Sequence, residues 1–266
     1  MKTLRLILIP VLFFGFSGCV LKKPEINLPE APSEELVRAL ELRRRSFSGL
    51  KAMASVQVTR KGRKRSYDTV GVVLESQSKL RIEAYGPLGQ SLLTLVWDGK
   101  EPLVRFSGED AVRRPGQFGL ERLLGVGIEM GDLCAVLSGN IPDSAGTSDA
   151  KAFCGPAHPA GGQDGVCAVE LRRGEITRRA WMTHPQSGAA GGVKLTMYEV
   201  YSAESLLFRV KFEQQETISG YTLPMKVVIE HPEKKVTLSV AYGDVDVNVP
   251  IDGSLFMLPA GEAGAP

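Results

Sequence analysis

Leu50-Lys-Ala-Met-Ala-Ser-Val-Gln-Val-Thr59 is the stretch from which the fold is read. Leu50, Ala52, Ala54, Val56 and Val58 alternate with Lys51, Met53, Ser55, Gln57 and Thr59. A period of two puts one set on each side of a pleated strand, so the segment is a strand with an apolar face and a wet face. The residues just before it keep a different period. Ser33-Glu34-Glu35 reads as a helix start, with a serine cap and acids in the first turn. Leu36, Val37, Leu40 and Phe47 then give that helix one apolar face, and Gly49 ends it.

Outward from this switch the strand pattern continues. Arg60-Lys-Gly-Arg-Lys-Arg65 reads as a turn into a strand at 67–75, followed by strands at 79–85 and 91–97. In the second half, Leu206, Phe208, Val210 and Phe212 face away from Leu207, Arg209, Lys211 and Glu213. Val236, Leu238, Val240 and Tyr242 do the same against Lys235, Thr237, Ser239 and Ala241. Such strands are antiparallel, with one face on a core and one in water. Between the two sets, residues 117–139 place Phe118, Leu120, Leu123, Leu124, Ile128, Leu133, Val136 and Leu137 at helical spacing, broken around Gly125 and Gly127. The expected class is mainly β, of the α+β kind: a large, strongly curved antiparallel sheet whose concave apolar face is covered by short helices.

The amino terminus carries a targeting signal. Lys2 and Arg5 precede an apolar run at 6–16, and small residues Ser17 and Gly18 precede Cys19. This is the order of a secretory signal, and the run is about half the roughly 20 residues a spanning helix needs. Phe16-Ser17-Gly18-Cys19 matches a lipobox, so residues 1–18 are expected to be a lipoprotein signal peptide and Cys19 the lipidated residue. Several acyl chains, at about 0.8 kcal/mol per buried methylene, hold a protein on a bilayer stably. Val20 is not the Asp that retains enterobacterial lipoproteins in the inner membrane, which points to the periplasmic face of the outer membrane. Residues 19–32 include Pro24, Pro29 and Pro32 and read as an extended tether with a reach of up to roughly 40 Å. Residues 33–258 are expected to form one domain and 259–266 a flexible tail.

Lys2 and Arg5 account for the whole net charge of +2, so the processed chain is neutral and gives no reason to expect a nucleic-acid partner. A hydrophobic fraction of 43% is enough for a sizeable core. Among the cysteines beyond Cys19, Cys154 and Cys167 flank one loop and are the preferred disulfide pair, contributing roughly 3 kcal/mol; pairing with Cys134 stays open. His158, His184 and His231 are not at metal-ligand or relay spacing, and no phosphate loop, dinucleotide fingerprint or nucleophile elbow occurs. No enzyme, metal or cofactor is expected. The basic runs at 43–45 and 60–65 have two readings: docking on anionic lipid or an acidic carrier, or, more plainly, a solvated helix end and hairpin turn.

The stretch Leu80-Arg-Ile-Glu-Ala-Tyr-Gly-Pro-Leu-Gly-Gln90 and the apolar strand from Ser91 resemble the corresponding region of the LolA/LolB family. Leu133-Cys-Ala-Val-Leu-Ser-Gly-Asn-Ile-Pro142 is similar to that family's helix before a Gly-x-x-Pro turn. The resemblance implies an incomplete barrel with a helical lid and a hydrophobic cavity for acyl chains. Leu93, Leu95, Trp97, Phe208, Val210 and Phe212 are the candidate lining. It also implies a leucine exposed to the membrane, here Leu88, at the tip of a turn that Gly86, Pro87 and Gly89 enforce. The implied role is binding acyl chains of a lipoprotein or lipid client, received from a LolA-like periplasmic carrier, and delivering them to the membrane. The long loop at 143–164 and the carboxy-terminal strand depart from the LolB pattern. The alternative is a structural or assembly lipoprotein whose barrel is packed with its own side chains and which binds a protein partner.

Overall fold

Alternation of the kind seen from Leu50 onward recurs through most of the chain and builds, among the described residues, a single sheet of thirteen strands. The structure is a computed structural model, and it describes residues 23–109, 111–114, 121, 124–142, 149–155, 164–185 and 193–258. The first strands are β1 (Glu30–Ala31), β2 (Gly49–Arg60), β3 (Arg63–Glu75), β4 (Lys79–Tyr85), β5 (Ser91–Trp97) and β6 (Pro102–Phe106). The second set is β7 (Asp149–Gly155), β8 (Asp164–Arg173), β9 (Ile176–Pro185), β10 (Lys194–Ser202), β11 (Ser205–Ile218), β12 (Tyr221–His231) and β13 (Val236–Val247). Spatial order is β1-β7-β8-β9-β10-β11-β12-β13-β2-β3-β4-β5-β6, antiparallel at every pairing. Two meanders are thus stitched together where β13 meets β2.

The sheet curls without closing. Register shifts between β9 and β10, β10 and β11, β13 and β2, β2 and β3, and β4 and β5 each add local bend and twist. The two edge strands, β1 and β6, do not pair with each other. Val104 of β6 instead exchanges backbone hydrogen bonds with Arg113, which covers part of that edge.

Among the described residues two helices serve the concave face. Helix α1 (Ser33–Arg45) buries Leu36 and Leu40 and packs on β7 and β8. It begins one residue earlier than the capping pattern implied: Pro32 holds the cap position, and no side chain caps the helix start. Helix α2 (Met130–Leu137) buries six of its eight residues, because all but Gly131 and Asp132 in its first turn carry apolar side chains into the interior. Of the two helices expected at 117–139 this is the second; most of the first falls outside the described residues.

Two further expectations change. Residues 61–62, not 60–65, make the β2–β3 turn, because Lys61 and Gly62 both take positive φ (50° and 80°), as the two-residue hairpin turn matched to strand twist requires. The basic run therefore lengthens two strands. Residues 23–32 do not hang free either. Lys23 donates from its backbone to Glu204 and from Nζ to Glu170, Arg179 donates to the Pro24 carbonyl, and Cys154 donates to the Pro29 carbonyl. A chain that satisfies its polar groups on the sheet gains more than a solvated tether, so the segment lies down.

Candidate functional site

The β2–β3 register shift creates the site. Ala54 faces Val70, but Val56 faces Tyr67, so β3 spends three residues where β2 spends two. That flips parity and turns Val70, Val72, Tyr67 and Arg65 to the same side. Neighbouring strands continue the rungs: Val70, Ala84, Leu93 and Phe106 are aligned across β3 to β6, and Val72, Ile82 and Leu95 form the next rung. Leu238 with Val58, and Val240 with Val56, complete the wall on β13 and β2. These side chains, with Leu124 and with Leu133 and Leu137 of α2, enclose an apolar cavity of about 370 Å³. The volume lies within the range of about 300–1,000 Å³ usual for small-molecule sites. The cavity reaches the sheet end where Arg65, Tyr67 and Leu92 are exposed.

One wall of the cavity is fixed by hydrogen bonds at the end of α2. Four carbonyls at a helix end lack intrahelical partners and are costly if buried unpaired. Here Tyr242 Oη donates to the Leu137 carbonyl (2.8 Å), and Tyr221 Oη donates to that of Ser138 (2.7 Å). Arg43 donates to the carbonyls of Gly139 (2.9 Å) and Thr222 (2.6 Å) and lies 4.9 Å over the Tyr221 ring. Asn140 Nδ2 donates to Tyr221 Oη at 2.7 Å. Burial pushes both phenols up from their ordinary values, so they stay protonated donors at physiological pH. This bracket gathers residues from distant parts of the chain, and nothing local in the sequence marks it.

Helix α2 divides the interior. Leu133 and Leu137 face the hollow part, while Cys134 and Val136 are fully buried in the core. Beyond α2 the concave face of β8–β12 is solid, with Met182, Leu195, Tyr198, Val210, Leu223 and Ile229 almost wholly buried. The candidate lining residues are accordingly separated. Leu93 and Leu95 stand on the cavity wall. Phe208, Val210 and Phe212 do not: they are on β11, in the filled half, where Phe208 meets Tyr198 edge to face at 6.2 Å. Trp97 is also off the wall, because its ring lies against Gly131 in the first turn of α2 and its Nε1 donates to the Lys100 carbonyl.

Leu88 stands at the tip of the β4–β5 loop and is 92% exposed. Gly86 donates to the Gln90 carbonyl, Gly89 to that of Gly86, and Gln90 Oε1 accepts from the Leu88 backbone, so the loop is internally bonded and its leucine is turned out. Cys19 lies outside the described residues. Cys154 and Cys167 are direct cross-strand partners on β7 and β8, joined by a disulfide with an S–S distance of 2.12 Å; Cys134 is free and buried. His231 is buried at the end of β12, where burial lowers its basicity, and its Nδ1 accepts from the Lys234 backbone. Among the described residues no group of three His, Cys, Asp or Glu side chains is placed to hold a metal.

The convex face carries a different pattern. Lys151, Glu170, Arg179, Glu199, Arg209 and Glu230 stand side by side across β7 to β12, with alternating sign. Arg179 pairs with Glu170 at 3.0 Å, Arg209 with Glu199 at 2.7 Å, and Lys23 lies on Glu170 at 2.9 Å. Burial pushes the Glu170 carboxyl up, but the hydrogen bonds from Lys23 and Arg179 outweigh it and hold the group below the usual carboxylate range.

No sequence-family model and no characterised protein matches the chain in sequence. Solved structures do match in shape. A DUF1329 family protein from Desulfovibrio piger superposes with a TM-score of 0.61 at 12% identity, covering 87% of this chain and 100% of that one. A LolA superfamily protein from Nitrosomonas europaea gives 0.56 at 11% identity, with 86% and 98% covered. A protein domain named for outer-membrane lipoprotein sorting, from Vibrio parahaemolyticus, gives 0.54 at 10% identity, with 84% and 94% covered. At such identities the likeness is one of fold alone: a curled, open antiparallel sheet.

Proposed function

We propose that this chain is a LolB-like envelope lipoprotein, anchored through Cys19, which takes an acyl chain of a lipoprotein or lipid client into its cavity and passes it to the outer membrane. The observation that carries the reading is the apolar hollow between α2 and the β13–β6 half of the sheet. Sealing a methylene there is worth about 0.8 kcal/mol, so a chain moves favourably from one apolar enclosure to another and poorly through water. Handover from a LolA-like carrier and then to the bilayer is physical transfer, with no bond made or broken. The name of the Vibrio domain speaks of the same task, and the exposed Leu88 supplies an apolar contact at the membrane.

The test uses Ala84, a small residue on the cavity wall. Ala84→Phe fills the hollow. It is expected to abolish binding of the fluorescent fatty acid cis-parinaric acid while leaving the thermal transition within a few degrees of the parent, because the added ring enters open space and not packed core. Failure of the parent to bind the probe, or equal binding by both proteins, would sink the reading. The filled β8–β12 half favours the second reading, an assembly lipoprotein that binds a protein partner, and that reading gains if the parent takes up no lipid.

A further inference from the structure

We infer that one end of the sheet lies flat on the bilayer and that the β2–β3 hairpin there selects anionic phospholipid; this rests on the lipid anchor at Cys19. The orientation follows from where the chain joins the domain. Lys23 is held by the carbonyl of Glu204 in the β10–β11 turn and by the Glu170 carboxylate. Only residues 20–22 separate it from Cys19, so the anchor lies within about 14 Å of that turn, four Cα steps at most. Strand directions put the β10–β11 turn, the β12–β13 turn, the β2–β3 tip and the loop of Leu88 at the same end of the sheet. The Lys61 backbone donates to the Lys235 carbonyl, joining two of these turns directly. A short anchor at one point of this rim draws the whole rim to the membrane, and the apolar cavity reaches the same rim.

Charge distinguishes this end from the other. Arg60, Lys61, Arg63, Lys64 and Arg65 occupy five of six consecutive positions, all exposed, and none has a carboxylate within salt-bridge distance among the described residues. Lys235 adds to them, while Lys234 is taken up by Glu121 at 2.7 Å. The opposite end carries Asp98 and Glu101 against Lys100, and the end of α1, where Arg44 and Arg45 are paired with Glu41 at 3.0 and 2.8 Å; the hairpin's own rim also exposes Glu175, Glu204 and Glu233, so the uncompensated positive charge is that of the hairpin itself. Unpaired cations on a rim pressed to a surface are attracted by acidic headgroups over roughly a Debye length, about 8–10 Å at physiological salt. The hairpin is long enough to project them, because the run extends two paired strands and does not fold into a loop.

The experiment is amine footprinting of the acylated, full-length processed protein in vesicles of phosphatidylcholine alone or with phosphatidylglycerol, read by mass spectrometry. Labelling of Lys61 and Lys64 is expected to fall at least about fivefold when phosphatidylglycerol is present and to recover in high salt, whereas Lys79 and Lys100 at the other end react equally throughout. Arg63→Glu with Lys64→Glu, both on an exposed hairpin, should erase the protection at Lys61. Equal labelling of Lys61 in the two vesicles would overturn the inference, as would protection that appears only when an acidic carrier protein is added. Loss of the protein from both vesicles on washing would instead remove the Cys19 anchor, and the inference with it. Uptake of cis-parinaric acid is read separately, so the cargo reading and the orientation can fail independently.

Discussion

Gly139 follows α2 with φ of +71°, and a Cβ there would strike the Pro224 ring and crowd the Arg43 guanidinium. Gly139→Ala meets both an unfavourable backbone region and a wall that cannot retreat. It is expected to destabilise the protein by about 2–4 kcal/mol, read as a lowered urea midpoint with an unchanged slope. A variant as stable as the parent would mean that the α2 bracket is loose. Leu88 presents the opposite case. With 92% of its surface exposed, Leu88→Glu should change stability by no more than about 0.5 kcal/mol. Client release to vesicles should nevertheless fall, and undiminished release from an intact Leu88→Glu protein would deny the loop a part in transfer. The two positions differ in how they reveal themselves. Pro87 and its flanking glycines announce a turn in the sequence, whereas the need for glycine at 139 comes from residues 43 and 224, far away along the chain.

Among the elements, the segment at 23–31 makes the most specific claim about pH. Glu170 is held below its ordinary value when Lys23 and Arg179 are in place. A depressed carboxylate contributes stability that is present above its unfolded value, about 4.3, and is lost as pH falls through the folded value. The strap should therefore come away from the sheet in acid before the sheet itself unfolds. Hydrogen exchange at 23–31, followed from pH 7 down to about 3, is expected to lose protection at the acid end, and earlier for Lys23→Ala, once the intrinsic pH dependence of exchange is divided out. Equal protection of the strap across that range in the parent would show that Glu170 does not hold it. Legibility differs among the elements for a physical reason. Strands such as β2, β11 and β13 keep long alternating stretches because one face is apolar and the other wet. In β9 the adjacent Arg178 and Arg179 break the pattern: Arg178 points to Asp132 of α2, 3.9 Å away, while Arg179 serves the convex charge ladder. Charges on both faces leave no period to read. The bulge that turns both Tyr67 and Val70 into the cavity is equally invisible, since it appears only once β2 supplies a register.

At the scale of the whole molecule, the curled sheet and its helical cover were legible from the order of periods. The division of its interior was not. The Leu206–Phe212 and Val236–Tyr242 patterns look alike in sequence, yet β11 faces a filled core and β13 a hollow, because α2 stands between them. Even within β13 the apolar residues part ways: Leu238 and Val240 line the cavity, while Tyr242 reaches under it to hold the end of α2.

That lopsided interior has a consequence for stoichiometry. On the proposed reading a guest chain has one apolar hollow, of about 370 Å³, to enter, while the other half of the curled sheet is occupied by Tyr198, Phe208 and their neighbours. A client with two or three acyl chains would therefore be gripped by one of them and keep the rest outside. Such a grip is a handhold and not a container. The remaining chains would have to stay sheltered by whatever lies against the open rim, the carrier first and the bilayer after it, so taking up and setting down a lipid would be one continuous event at that rim.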